Sequence, residues 1–572
     1  MESWNINLKK TFFILFLSFF FIFFSFSGFS EEGFWKNLPT DELVEYLISS
    51  MNNEELLSQV LMLGYTGTQP SDIIMEWIRE RNIGGVKIFG WNVNTLPELA
   101  KSIGEMQKTA LNTNQKIPLL IATDQEGGWV RHVKGDTSIT PGNMAIGATG
   151  LSHDAYYTGF YIGLELKALG INMNFAPTVD VYINPDADVI GPRAFSDDPV
   201  TTGILSVAYF KGLDKAGVIS TAKHFPGHGN ADKDSHGALP IIHSTLDDLW
   251  NRDAVPYRFL IKEGLPAIMS GHLAFPEIIG NNTPSSLHGF FQEELLKEKL
   301  GFSGIVITDD LFMNGVQEIG LDTPYICIRA LEAGNDMIML SRTPELFSDI
   351  WKKLYSQFTE NPGFRARVLD AVRRILRIKI AYLKNGSSVP LIPDVEKIKE
   401  SVPNNEGRKF FFDLSCRSVT IIRDKDIPLD KEKSGRILLA GQFRAFLEEG
   451  KKRLPDADEF YFPYSPFYWA RDADTKKLLQ ISRQYDTVIF CLANPNSLEV
   501  LKSLENEEIN LIVFSVLTPI YLRELPRIQS ALAVYGTGRD SFQSGFAVLM
   551  GDFKPEGTLP LKTFKKLELS LE

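Results

Sequence analysis

The stretch Val218-Ile219-Ser220-Thr221-Ala222-Lys223-His224-Phe225-Pro226-Gly227-His228-Gly229-Asn230 turns from apolar to charged in one step. Its first half is small and β-branched, as a buried strand requires. Its second half is a Gly- and Pro-punctuated loop that continues through Asp232, Lys233 and Asp234-Ser235-His236. A short buried strand ending in a polar loop is the unit of a barrel enzyme, whose site sits at the C-terminal strand ends. Four of the chain's eight histidines lie between 224 and 243. Cations and imidazoles at that density are costly to bury without partners and point to an oxygen-rich, reacting substrate.

The same pattern recurs on both sides of this stretch. Apolar runs stand at 60–63, 85–89, 119–122, 173–176, 267–270, 305–308 and 337–340, which makes eight strands in all. Most are separated by enough chain for a helix, as in 154–169 and 324–333. Eight alternating units predict an α/β fold with a (β/α)8 TIM-type barrel. Polar residues gather just past most of the runs: Asp124-Gln125-Glu126, Asp180, Lys223-His224, His272, Asp309-Asp310 and Ser341-Arg342. A barrel without a site has no reason to collect charge at so many strand ends.

A basic amphipathic helix follows, from Gly363 to about Lys384, with its Arg and Lys read as a solvated face. Asn385-Gly386-Ser387-Ser388-Val389-Pro390 opens a linker by composition. Beyond it, the runs at 436–440, 487–491, 511–515 and 531–535 predict a smaller αβα sandwich with a largely parallel sheet. The expected division is residues 1–30 as an export signal or N-terminal anchor, 31–384 as the barrel, 385–408 as linker and 409–572 as the sandwich. The first segment carries Lys9 and Lys10, a Phe-rich apolar run and small residues at Ser25, Ser27, Gly28 and Ser30. It implies a destination outside the cytoplasm, with a membrane tether if it is not cleaved.

A chain of 572 residues is too long for one core. Its net charge of -12 argues against a nucleic-acid partner. Cys327, Cys416 and Cys491 are too few and scattered for a disulfide framework or Cys-based zinc, although Cys416 with Cys491 could pair in an oxidising compartment.

His224 and His228 are spaced as a helical metal pair, but Pro226 and Gly227 between them oppose a helix. A metal would need a non-helical cage that adds Asp234 and His236. The preferred reading joins Asp234 and His236 as a dyad, the carboxylate orienting the imidazole as a general acid/base. Asp309, at a strand end, is placed to be a nucleophile. A carboxylate nucleophile with a proton donor suits double-displacement glycoside hydrolysis, although the usual donor is a second carboxylic acid.

Several motifs carry a resemblance to a known family. They are Ala122-Thr123-Asp124-Gln125-Glu126-Gly127-Gly128, Asn174-Phe175-Ala176-Pro177-Thr178-Val179-Asp180, Arg193-Ala194-Phe195-Ser196, the Lys223–Asn230 loop, Asp234-Ser235-His236 and Thr308-Asp309-Asp310-Leu311. Together they resemble glycoside hydrolase family three, and within it the two-domain exo-β-N-acetylglucosaminidases. The resemblance implies Asp309 as nucleophile, His236 as acid/base and Asp234 as its partner. It implies Asp124, Arg193, Lys223 and His224 as groups that hold the sugar hydroxyls, and no cofactor or metal. It gives His228 a loop-shaping role. Where the family commonly has an Arg after Glu126-Gly127-Gly128, this chain has Trp129, with Arg131 two residues on. The implied reaction removes terminal β-linked N-acetylglucosamine with retention, in an exported enzyme from peptidoglycan fragments. A phosphorylase, a broader β-glucosidase and a non-catalytic cell-wall-binding protein are the alternatives.

Overall fold

The computed structural model describes residues 32–187, 189–231, 237–384, 389–463 and 472–562. The expected export segment, the Asp234–His236 dyad and the Asn385–Ser388 start of the linker lie outside them. Among the described residues no helix is long and apolar enough to cross a membrane.

All eight apolar runs become barrel strands: β1 (Leu61–Gly64), β2 (Gly85–Ile88), β3 (Leu120–Thr123), β4 (Met173–Asn174), β5 (Ile219–Phe225), β6 (Ala267–Ser270), β7 (Ile305–Asp310) and β8 (Met337–Leu340). They pair in sequence order and close, β1 meeting β8 in parallel at Leu61↔Ile338. Both faces of each strand are covered, one by the barrel interior and one by helices. This is why the runs read as continuously apolar rather than alternating.

The basic helix α1 (Pro362–Leu383) buries Phe364, Val368, Val372, Ile375 and Leu376 against the barrel. Its basic residues are not only a solvated face. Arg367 pairs with the fully buried Asp336, whose Oδ2 accepts the Val306 N–H at 2.9 Å. The helix thus latches the N-terminal end of β7 and β8.

The C-terminal domain is a six-stranded sheet of β9 (Thr420–Asp424), β10 (Ile437–Gly441), β11 (Asp458–Tyr461), β12 (Thr487–Leu492), β13 (Asn510–Val516) and β14 (Ser530–Tyr535). Their order is β9-β14-β13-β12-β10-β11, and only β9 runs antiparallel to its neighbour. Residues alternate between its two faces with period two. Val488, Phe490 and Leu492 enter one core, and Ile489 and Cys491 the other. The edge strands β9 and β11 gave no apolar run in the sequence, because each has only one buried residue, Thr420 in β9 and Phe460 in β11. Cys327, Cys416 and Cys491 are free thiols, and Cys416 Sγ lies 3.3 Å from Ser544 Oγ.

The first of the two sheet cores also takes in Met144, Tyr182, Ala187 and Ile190, which belong to the loops at the barrel mouth. The second domain therefore packs on the C-terminal face of the barrel.

Candidate active site

The barrel's C-terminal mouth collects the charged residues at its strand ends. Lys87 points inward from β2 and is fully buried. Its Nζ lies 2.5 Å from Asp124 Oδ2, just past β3. Lys223, at the end of β5, bonds the other Asp124 oxygen and sits 2.6 Å from Glu126 Oε1. Arg193 grips Glu126 with two parallel bonds, Nε to Oε2 at 2.9 Å and Nη2 to Oε1 at 2.7 Å. Three cations and two carboxylates thus form one chain of contacts across β2, β3, β5 and the loop after β4.

Such a cluster tolerates burial because each charge meets its opposite. Burial alone would raise the Glu126 carboxyl, but Arg193 and Lys223 override it and hold it at about 2. Burial likewise opposes Asp124, yet Lys223 and Lys87 keep it well below the usual carboxylate range. For Lys223, burial works against the charge, while Asp124 and Glu126 carry it above the ordinary lysine value. Asp124 and Arg193 keep 15% and 10% of their side chains exposed, against 2% for Lys223 and 1% for Glu126. The first two present edges to the mouth, and the second two hold them from behind.

His224 joins the same group. Its Nδ1 is 2.8 Å from Asp180 Oδ2, and Arg193 Nη2 approaches its Nε2 at 3.2 Å. Arginine can only donate, so Nε2 accepts and the ring proton sits on Nδ1 toward Asp180. With one nitrogen protonated and the other facing a guanidinium, His224 has no lone pair for a metal. His228 shapes the loop: its N–H donates to Asp180 Oδ1 at 2.7 Å, and its ring packs edge-on against His224. The loop passes so close to the backbone after β4 that a Cβ on Gly229 would lie 1.8 Å from the Val181 carbonyl oxygen.

Asp309 stands near the end of β7. Its Oδ1 accepts the Asp310 N–H at 2.8 Å. It is near enough for its negative charge to act on both Lys87 and His272. Asp310 turns elsewhere, its Oδ1 accepting N–H bonds from Ser341 at 2.9 Å and Phe312 at 3.1 Å. His272 bridges Ser286 Oγ at 2.7 Å and the Asp310 carbonyl at 3.1 Å.

The hairpin Gln125–Gly127 and Val130–Arg131 bends at Gly127 and Gly128, both at positive φ. Trp129 caps the bend with 42% of its surface exposed. Arg131 does not reach the network; its Nη1 donates to the carbonyls of Thr137 at 3.0 Å and Ser138 at 3.3 Å. The extra cation beside Asp124 is Lys87, with His132 Nδ1 at 3.5 Å from the same carboxylate. A second hollow of the mouth, about 330 Å³, is lined by Thr66, Gly67, Trp91, Ser341 and Arg342.

Of the residues singled out in sequence, Asp124, Arg193, Lys223, His224 and Asp309 converge on this mouth. Asp234 and His236 lie outside the described residues. Sequence reasoning gave no role to Lys87, Glu126, Asp180 or His132. Glu126 and Asp180 were visible as charges at strand ends. Lys87 was visible as a lysine inside an apolar run, a position that demands a buried partner.

Residues 52–378 match the profile described as "Glycosyl hydrolase family 3 N terminal domain". The chain is 30% identical over 376 residues to Beta-hexosaminidase A of Pseudoalteromonas piscicida, covering 62% of each protein. It is 33% identical over 300 residues to a Beta-hexosaminidase of Thiobacillus denitrificans, covering 51% of this chain and 81% of that one. A solved glycoside hydrolase family 3 β-N-acetylglucosaminidase from a Paenibacillus species superposes with a TM-score of 0.78 at 28% identity, covering 90% of this chain and 99% of that one.

Proposed function

The chain belongs to glycosyl hydrolase family 3, and we propose that it is a retaining exo-glycosidase that removes terminal β-linked N-acetylglucosamine. Asp309 attacks the anomeric carbon while His236, oriented by Asp234, protonates the leaving oxygen. The same imidazole, now neutral, draws a proton from water, which releases the sugar from Asp309. Asp124, Arg193 and His224 face the hydroxyls of the bound ring, with Lys223, Glu126 and Lys87 fixing their positions.

The choice of His236 as acid is what the family resemblance of Asp234-Ser235-His236 implies, and the described mouth supports it. The carboxylates and histidines of the Asp124–Glu126 network are poor proton donors, and Asp310, which burial pushes up, is turned to the Ser341 and Phe312 N–H groups. Glu126 sits at about 2, and Asp124 lies well below the usual range. Burial, reinforced by Lys87 for one and by His224 for the other, lowers His132 and His228 to about 4. Burial also lowers His272. His224 has both ring nitrogens engaged, Nδ1 with Asp180 and Nε2 with Arg193. A general acid must hold its proton near working pH, which Glu126, Asp124, His132 and His228 do not.

The export segment read in the sequence supports a substrate outside the cytoplasm. Peptidoglycan fragments, with N-acetylglucosamine linked to N-acetylmuramic acid, fit that compartment. The test is hydrolysis of a chromogenic β-N-acetylglucosaminide followed by proton NMR, with and without phosphate. The β-anomer of N-acetylglucosamine is expected first, in phosphate-free buffer. The α-anomer, or turnover only with phosphate, would overturn the assignment.

A further inference from the structure

Arg193 sits on a turn, Gly191–Arg193, within a long loop between β4 and the helix Pro199–Ala216. No barrel strand holds its backbone. Loops of this length move unless something packs on them. Yet the Arg193 fork must match both oxygens of Glu126, and a displaced fork loses that match.

What packs on the loop is the other domain. We propose that the C-terminal domain positions Arg193 by clamping the loop on both sides, so that an intact sugar-holding network depends on it. On the near side, Tyr182, Ala187 and Ile190 are buried in one core with Phe490, Tyr535 and Leu561 of the C-terminal domain. Arg523 Nη2 also reaches Asp186 Oδ1 at 2.7 Å. On the far side, the buried Ser196 hydroxyl donates to the Pro560 carbonyl at 2.7 Å. The Lys562 N–H donates to Asp197 Oδ1 at 3.0 Å. From beneath, Asn143 Nδ2 donates to the Arg193 carbonyl at 2.8 Å. The short helix that begins at Asn143 is itself tied to the domain, Thr558 N–H donating to Ala148 O at 2.9 Å. The segment 558–562 therefore works as a strap across the back of the site. Ser196 is a positioning residue, acting through Arg193 rather than on substrate.

The test compares Ser196→Ala in two backgrounds of the full chain. In the parent, kcat/KM on the chromogenic substrate should fall about fivefold, the worth of one hydrogen bond, mainly through KM. In an Arg193→Ala background the same change should cost nothing further. Equal losses in both backgrounds would overturn the clamp. The kinetic arm rests on the glycosidase reading; hydrogen exchange does not. With Leu561→Ala, amides of 190–197 should exchange faster while β1 to β8 keep their protection. Unchanged exchange there would overturn the clamp even if the parent hydrolysed nothing.

Discussion

The two ends of the barrel bury lysines under opposite conditions. At the mouth, Lys223 is flanked by Asp124 and Glu126 and is held above the ordinary lysine value despite its burial. At the base, Lys379 of α1 is equally buried, but its ammonium donates to an amide oxygen, Gln59 Oε1, at 2.9 Å. Burial there lowers its ammonium to about 7. The same side chain is a permanent cation where carboxylates answer it and a titratable amine where only an amide does. The mouth spends its buried charges on geometry that a substrate can use. The base holds its lysine against a neutral amide oxygen rather than a carboxylate.

The comparison can be pressed hardest at the mouth. Asp309→Ala should reduce kcat by about 10⁴-fold or more, as removal of a nucleophile does, with little change in melting temperature. A modest loss of activity would mean that the mouth's chemistry runs through another group. His236→Ala should cost about 10²- to 10⁴-fold on a substrate with a poor leaving group, and much less on one with an activated phenol. Equal losses on both would remove His236 from proton transfer.

Glu126→Gln would strip the shared carboxylate from Arg193 and Lys223 together. About 3–5 kcal/mol of stability should disappear in urea unfolding, because two buried cations lose a partner at once. A change below 1 kcal/mol would show that water relieves the mouth as readily as the protein does.

The base should behave in reverse. With a folded value of about 7 against an unfolded value of 10.5, the Lys379 ammonium is more protonated in the unfolded chain between those limits. Stability from this group therefore rises with pH across that window, by at most about 1.4 kcal/mol per unit. Below pH 7 both states carry the proton and the cost is complete. Lys379→Met should accordingly stabilise the protein by about 1–4 kcal/mol near pH 6, with the gain shrinking toward pH 10 and kcat unchanged. A gain independent of pH would mean that packing, not charge, limits the base.

Much of this contrast was open to reading in the chain. Every barrel strand announced itself as a short apolar run, since strands covered on both faces have no polar side to confuse the pattern. The charges past those runs marked the mouth. The edge strands Thr420–Asp424 and Asp458–Tyr461 were hidden because each has only one buried residue, Thr420 and Phe460. Spacing left open whether Arg131 replaces the arginine missing at Trp129, and the carbonyls at 137 and 138 claim it instead.

The sequence by itself determined the barrel, the second sheet and the residues that crowd the strand ends, because hydrophobic periodicity and strand-end polarity are local. Only the tertiary structure decided which charges meet. Closure of the barrel brings Lys223 to Asp124 across 99 positions of chain, and Lys87 to the other side of the same carboxylate. Packing of the second domain brings Pro560 to Ser196 across 364. Partnership between buried charges is a matter of ångströms and angles, and those are fixed by how distant elements pack, not by spacing along the chain.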